Sequence, residues 1–265
     1  MSTAQTTAVL AVEHLRKRFG ATKVLGDVTF TAAAGEFVCI VGPSGVGKTT
    51  LLRCLAQLGP ADEGRVLLDG AVVTAPPAKM AVVFQDYSRS LMPWMRVGAN
   101  VELPLRRSKL SRVQRRERVQ LALRDVGLAH ASDLYPWQMS GGMQQRAAIA
   151  RALAYRPEVL IMDEPFASVD AQTRADLEDL MLDLRERLGV TIVLVTHDID
   201  EAVYLSDKVV VLSGRPATVT ETVRVKLPSP RDQIATKAEL EFLSLRAHIH
   251  GLISAAGRAS LVDTE

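Results

Sequence analysis

Cysteine, aromatic side chains and net charge are all scarce in this chain, and each scarcity argues against a class of function. Cys39 and Cys54 are the only cysteines among 265 residues. Each lies in an apolar run, with no CxxC and no metal-ligand spacing. Buried, reduced thiols of a cytosolic protein are therefore expected, not a disulfide framework or a thiolate metal site. Aromatic residues make up 5% of the chain, and a formal charge of +2 gives no electrostatic footprint for nucleic acid. No apolar run approaches the roughly 20 residues that span a bilayer. Residues 1–12 carry no basic group ahead of their apolar part, so a signal peptide is not expected. Internal repeats and low-complexity segments are also missing. What remains is 48% apolar and 23% charged, an ordinary globular balance. The length suits one large domain, or a core with a modest insert.

Apolar periodicity places the elements. Residues 36–41 read as a buried strand ending at Gly42. Leu51, Leu52, Leu55 and Leu58 follow at helical spacing, and Gly59 and Pro60 stop that helix. Residues 64–75 read as a hairpin turning at Asp69 and Gly70, and 80–84 as another strand. Helical periodicity dominates 88–154, with Ser111 capping a helix that runs to Gly127. Strands return at 159–162 and 190–196, separated by an amphipathic helix closed by Gly189. Alternating strands and helices predict a parallel sheet covered by helices, with 88–154 inserted as a helical subdomain. Residues 216–265 read as a tail with a short helix around 237–253.

Gly42, Pro43, Ser44, Gly45, Val46, Gly47, Lys48 and Thr49 fit G-x-x-x-x-G-K-[ST] between a predicted strand and a predicted helix. Glycines let backbone N–H groups wrap an anion, and the helix start adds unpaired donors and its positive dipole end. Lys48 would reach the β- and γ-phosphates, and the Thr49 hydroxyl would ligate Mg²⁺. The strand 159–162 runs into Asp163 and Glu164, acids at the edge where open α/β sheets bind ligands. Asp163 would hold Mg²⁺, and Glu164 would polarise the attacking water. His197, after another apolar strand, would contact the γ-phosphate. Gln85, after 80–84, would contact Mg²⁺ or the water.

The segment Met139-Ser140-Gly141-Gly142-Met143-Gln144-Gln145-Arg146 supplies a second anion site, a serine cap followed by two glycines at a helix start. One nucleotide rarely needs two cradles. The economical solution is a two-fold dimer in which each copy's second cradle closes on its partner's ATP.

The order of these motifs resembles the nucleotide-binding subunit of ATP-binding cassette (ABC) transporters, over roughly residues 8–215. Residues 42–49 resemble Walker A, Gln85 the Q-loop, 140–144 the signature, 159–164 Walker B, 168–170 the D-loop and His197 the H-loop. Met139 and Val169 stand where leucine is usual, and both stay apolar. The resemblance implies a P-loop NTPase (RecA-like) α/β core sheet with an antiparallel β subdomain and an inserted α-helical subdomain. It divides the single domain 1–265 into a core (8–87 and 155–215), a helical subdomain (88–154) and a tail (216–265). It adds Thr50, Ser140, Gly141, Gly142, Gln144 and Asp170 to the ATP contacts, and places Phe19 where an aromatic ring stacks on adenine. More narrowly, Phe84-Gln85-Asp86-Tyr87-Ser88-Arg89-Ser90-Leu91-Met92-Pro93-Trp94, residues 195–202 and residues 227–232 resemble importer subunits for nitrate, sulfonates and taurine. That implies a head-to-tail dimer at the cytoplasmic face of the cell membrane, transmembrane permease subunits and an external solute-binding protein, with no nucleic acid.

Two features stay open at this level. The apolar cluster Leu91-Met92-Pro93-Trp94-Met95 suits either a docking groove for a membrane partner or packing within the helical subdomain. The basic run Arg106, Arg107, Lys109, Arg112, Arg115, Arg116 and Arg118 reads first as a solvated helix face, with attraction to anionic headgroups as the alternative. Exporter subunits share the motifs, and an ABC ATPase acting on DNA or ribosomes is the rival from another class. Gln85 and Gly141 lie too close in sequence for the long coiled coil such ATPases usually carry.

Overall fold

The apolar strands seen in the sequence sit side by side. In the computed structural model, which describes residues 8–85 and 90–262, with side chains from 9 to 255, β3 (Phe37–Val41), β7 (Val159–Asp163) and β8 (Thr191–Val195) are buried at every position. Strands buried on both faces need apolar side chains at consecutive positions, and these have them. With β6 (Met80–Val83) and β9 (Lys208–Ser213) they form the parallel half of one ten-stranded sheet, in the order β9-β3-β8-β7-β6.

The antiparallel half runs β5-β4-β1-β2, from β1 (Ala8–Phe19), β2 (Thr22–Ala33), β4 (Glu63–Leu68) and β5 (Ala71–Val72). The hairpin read at 64–75 is the β4–β5 pair. Its two turn residues, Asp69 and Gly70, have φ of 50° and 76°, as a tight two-residue hairpin turn requires.

The two halves meet through β10 (Ala217–Arg224), antiparallel to β9 and parallel to β2. This strand lies inside the stretch read from sequence as a tail. Its exposed residues Thr218, Thr220, Thr222 and Arg224 alternate with Ala217, Val219, Glu221 and Val223, of which only Ala217 and Val223 are buried. The short helix expected at 237–253 is instead Leu240–Val262. With Phe242, Leu245 and Ile249 it packs on the same core as β9.

Period-two alternation divides the interior. Val38, Ile40, Ile161, Val193 and Val195 face α1 (Lys48–Leu55) together with Leu10, Val12 and Phe30, so the sheet curls around that helix. Phe37, Cys39, Leu160, Met162 and Leu194 face the other side. There they meet the helices α2 (Val97–Glu102), α3 (Arg112–Asp125), α4 (Gly141–Leu153), α5 (Ala171–Leu188) and α6 (Ile199–Leu205), with α7 (Leu240–Val262) behind. Helices α2 to α4 belong to the inserted helical segment. Ser111 caps α3 in a reciprocal capping box with Gln114, and Gly189 closes α5 at φ 64°.

Candidate functional site

Four strands, β3, β8, β7 and β6, end at one edge of the sheet and deliver the chemistry there. After β3 the chain turns through 42–47 and enters α1. Gly47 caps that helix at φ 114°, a backbone region L side chains rarely adopt, and no side chain caps the exposed N–H groups. Those donors face whatever occupies the loop, which suits an anion. Lys48 opens the helix and is only 6% exposed. Its Nζ donates to the carbonyls of Gly42 at 2.8 Å and Pro43 at 3.2 Å, which holds the ammonium across the loop. Burial lowers its pKa, and the carboxylates of Glu164 and Asp163 oppose that shift.

Asp163 ends β7. Its carboxyl is nearly buried and is pushed up by that burial, against a hydrogen bond from Thr49 Oγ1 at 3.4 Å. A buried carboxylate beside a hydroxyl, with no cationic side chain bonded to it among the described residues, is the hard oxygen set that suits Mg²⁺. When bound, the ion would supply charge neutralisation between phosphate oxygens.

Glu164 follows with φ of 43°, an uncommon angle for a non-glycine residue, and its N–H donates to Val195 O at 2.8 Å. That bond ties the ends of β7 and β8 together. One carboxylate oxygen of Glu164 accepts from Gln85 Nε2 at 3.2 Å and lies 3.1 Å from His197 Nδ1. Lys48, Thr49, Asp163, Glu164, Gln85 and His197 therefore belong to one cluster. A carboxylate held at two sides beside a phosphate-binding loop is fit to orient and deprotonate water.

The family profile described as ABC transporter matches residues 25–167. The chain is 46% identical to the aliphatic sulfonates import ATP-binding protein SsuB of Xanthomonas axonopodis, over 89% of this chain and 94% of that one. It belongs to the ABC transporter family. It is 41% identical to the nitrate import ATP-binding protein NrtD of Synechocystis, over 88% of this chain and 89% of that one. Among solved structures, cbiO1 of Clostridium perfringens, part of the ABC transporter complex cbiONQ, aligns at TM-score 0.77 and 28% identity, covering 92% of this chain and 99% of that one. A dimeric ATP-binding cassette in a post-hydrolysis state with ADP and Pi aligns at TM-score 0.71 and 32% identity, covering 82% and 99%. The chain is thus the ATPase cassette of an ABC transporter.

The cassette's other sequence-predicted residues stand apart from that cluster. Ser140 caps α4 by accepting from Met143 N at 3.3 Å, and Gln144 Nε2 braces the approach by donating to Pro136 O and Met139 O. Asp170 caps α5 by accepting from Thr173 N at 3.0 Å and from the Thr173 hydroxyl at 2.7 Å. The two caps are neighbours, because a Cβ added to Gly142 would come within 2.5 Å of Thr173 Cγ2. No hydrogen bond or ion pair joins Ser140, Gly141, Gly142, Gln144 or Asp170 to the Lys48 cluster among the described residues. Phe19, at the end of β1, is 59% exposed with Lys17 Nζ 5.5 Å from its ring centre. Thr50 is half-buried in α1.

Trp94 is 73% exposed, on a loop braced from beneath. Buried Asn100 accepts from Met92 N at 2.7 Å and donates to the carbonyls of Met92 and Met95. Of the stretch from Gln85 to Trp94, Asp86, Tyr87, Ser88 and Arg89 lie outside the described residues.

The sequence reading missed the support behind His197. Thr196 donates to buried Glu201 at 2.7 Å, and Asp198 caps α6 while pairing with Arg174 of α5 at 3.3 Å. Burial pushes the Glu201 carboxyl up to about 8. The spacing Asp198-x-x-Glu201 is a helix-start signal that marks the helix following His197.

Proposed function

We propose that this cassette powers import of a small anion of the nitrate, sulfonate or taurine kind. It would work as a head-to-tail pair bound peripherally to permease subunits at the cytoplasmic face of the membrane. An external solute-binding protein would select the cargo. The single observation that carries the catalytic part is the Glu164 carboxylate, held between Gln85 and His197 beside the Lys48 loop. The names of the relatives support the direction of transport and the class of cargo.

Each ATP would lie on the loop 42–49, with Thr50 at its end and adenine against Phe19. Thr49, Asp163 and Gln85 would hold Mg²⁺. Glu164 takes up the proton of the attacking water, and Lys48 and His197 stabilise charge on the γ-phosphate. The partner's Ser140, Gly141, Gly142, Gln144 and Asp170 would complete the site, since among the described residues no hydrogen bond or ion pair joins them to their own chain's cluster. No described helix is long and apolar enough to cross a membrane, so work at a membrane requires docking, for which Trp94 is presented outward.

The test is Glu164→Gln. It should bind ATP, lose turnover by about 100-fold or more, and accumulate an ATP-bound dimer by light scattering. Normal turnover would remove Glu164 from its role, and a strictly monomeric ATP-bound variant would remove the dimer.

A further inference from the structure

The amino ends of β7 and β8 lie one strand length from the phosphate loop, and a cleft of about 750 Å³ opens there between α3 and the core. That volume falls within the roughly 300–1,000 Å³ of small-molecule sites. Its walls are unusual for a soluble surface. Leu121 of α3 and Leu188 of α5 face it while 39% and 44% exposed, over a floor that includes Leu153 and Val190. Two large aliphatic side chains left open on one concave surface mark a binding site more than a solvated face does.

Three acids and three arginines line the cleft, so its formal charges balance, but the pairing among them is uneven. Asp69 and Glu158 both pair with Lys79, at 2.7 and 2.9 Å, and Asp125 pairs with Arg187 at 3.0 Å. Arg118 and Arg156 also line the cleft, yet neither has an ion pair or side-chain hydrogen bond among the described residues. Arg156 is moreover held at φ 58°, where glycine or asparagine would sit at less cost. A strained arginine, a second unpartnered arginine and an apolar floor together define a ligand with an anionic head and an aliphatic body.

We propose that this cleft binds a small amphipathic organic anion, its head between Arg118 and Arg156 and its chain over Leu121 and Leu188. The site joins the helical subdomain to the core, at the end of α4 opposite Ser140. Its occupancy needs no nucleotide, so the measurement stands apart from the ATPase reading.

The experiment is calorimetric titration of the full chain with octanesulfonate, with octanol and methanesulfonate as controls. Saturable binding is expected for octanesulfonate, and no measurable binding for either control. The double variant Arg118→Ala/Arg156→Gly should weaken it by roughly ten-fold or more. Glycine relieves the backbone at 156, and unchanged ATP turnover reports that the variant is folded. Anionic phospholipid vesicles displace the probe if the natural anion is a lipid, and leave it bound if the anion is a free solute. The proposal is overturned if octanesulfonate shows no saturation at millimolar concentration, if octanol binds as tightly, or if the double variant binds equally well.

Discussion

Replacing Glu201 by glutamine should stabilise the cassette increasingly as pH rises from 4.5 to 8. Glu201 is 5% exposed, and one of its oxygens accepts from Thr196 at 2.7 Å. Burial is the largest reason its carboxyl sits near 8 in place of 4.5. The Thr196 hydrogen bond opposes this, Glu178 and Asp198 add to it, and Arg174 opposes it. A raised carboxyl pKa means that the folded chain keeps a proton which the unfolded chain releases. The resulting stability is fully present below about 4.5 and is lost as pH climbs through the folded value near 8. At about 1.4 kcal/mol per unit, the swing has an upper bound of roughly 5 kcal/mol. Glutamine stays neutral throughout and keeps an acceptor for Thr196, so it escapes the loss. For a chain of this size a kcal/mol moves the melting temperature by about 2–4 °C, so the variant should gain roughly 10 °C on the wild type by pH 8.5. Paired thermal melts from pH 4.5 to 9 make the measurement. A constant offset at low pH reports only the exchange of amide for carboxyl. If the two melting curves run parallel across the whole range, Glu201 is not a buried, protonated carboxyl and the argument fails.

Two further substitutions probe the nucleotide end of the molecule. Phe19→Ala should raise the KM for ATP with little change in kcat. Loss of one stacked base costs about 1–3 kcal/mol, hence roughly 5- to 150-fold in affinity of a fluorescent nucleotide. Gly47→Ala forces an L residue to φ 114° and a Cβ to 2.9 Å from Val24 Cγ1. It should cost about 1–3 kcal/mol in thermal stability and weaken ATP binding in the same preparation.

The legible parts were those whose chemistry is written in consecutive residues. The phosphate loop is legible because its glycines encode a backbone shape, and β7 and β8 because double-sided burial demands unbroken apolar runs. β10 was not legible. Threonine at every second position with Glu221 between makes a half-exposed strand, and only pairing with β2, distant in sequence, makes it the seam of the sheet. β1 and β2 escaped for a related reason: register shifts such as the one between Val12 and Leu15 break the period by which a strand is read. The motifs assign Lys48, Asp163, Glu164, Gln85 and His197 to one nucleotide, but not the direct contacts of Glu164 with Gln85 and His197. The contact between Gln85 and Glu164 depends on β6 lying beside β7, which a list of motifs does not contain. The cleft between α3 and the core is invisible for the same reason, since its walls come from six separate segments of the chain.

The arrangement of α4 and α5 gives the dimer proposal its physical content. Gly142 has no room for a side chain because Thr173 stands against it, and Thr173 is itself bonded to Asp170. The serine–glycine tip and the Asp170 turn are therefore one packed unit within each copy. That unit uses Ser140 Oγ and both Asp170 oxygens within its own caps, and among the described residues no hydrogen bond or ion pair joins it to Lys48. A helix tip with open backbone donors suits an anion, and under the dimer proposal that anion is the neighbouring copy's triphosphate. A second copy turned head to tail would bring both segments to the neighbouring triphosphate in one movement, which couples the signature and Asp170 contacts: neither could form without the other.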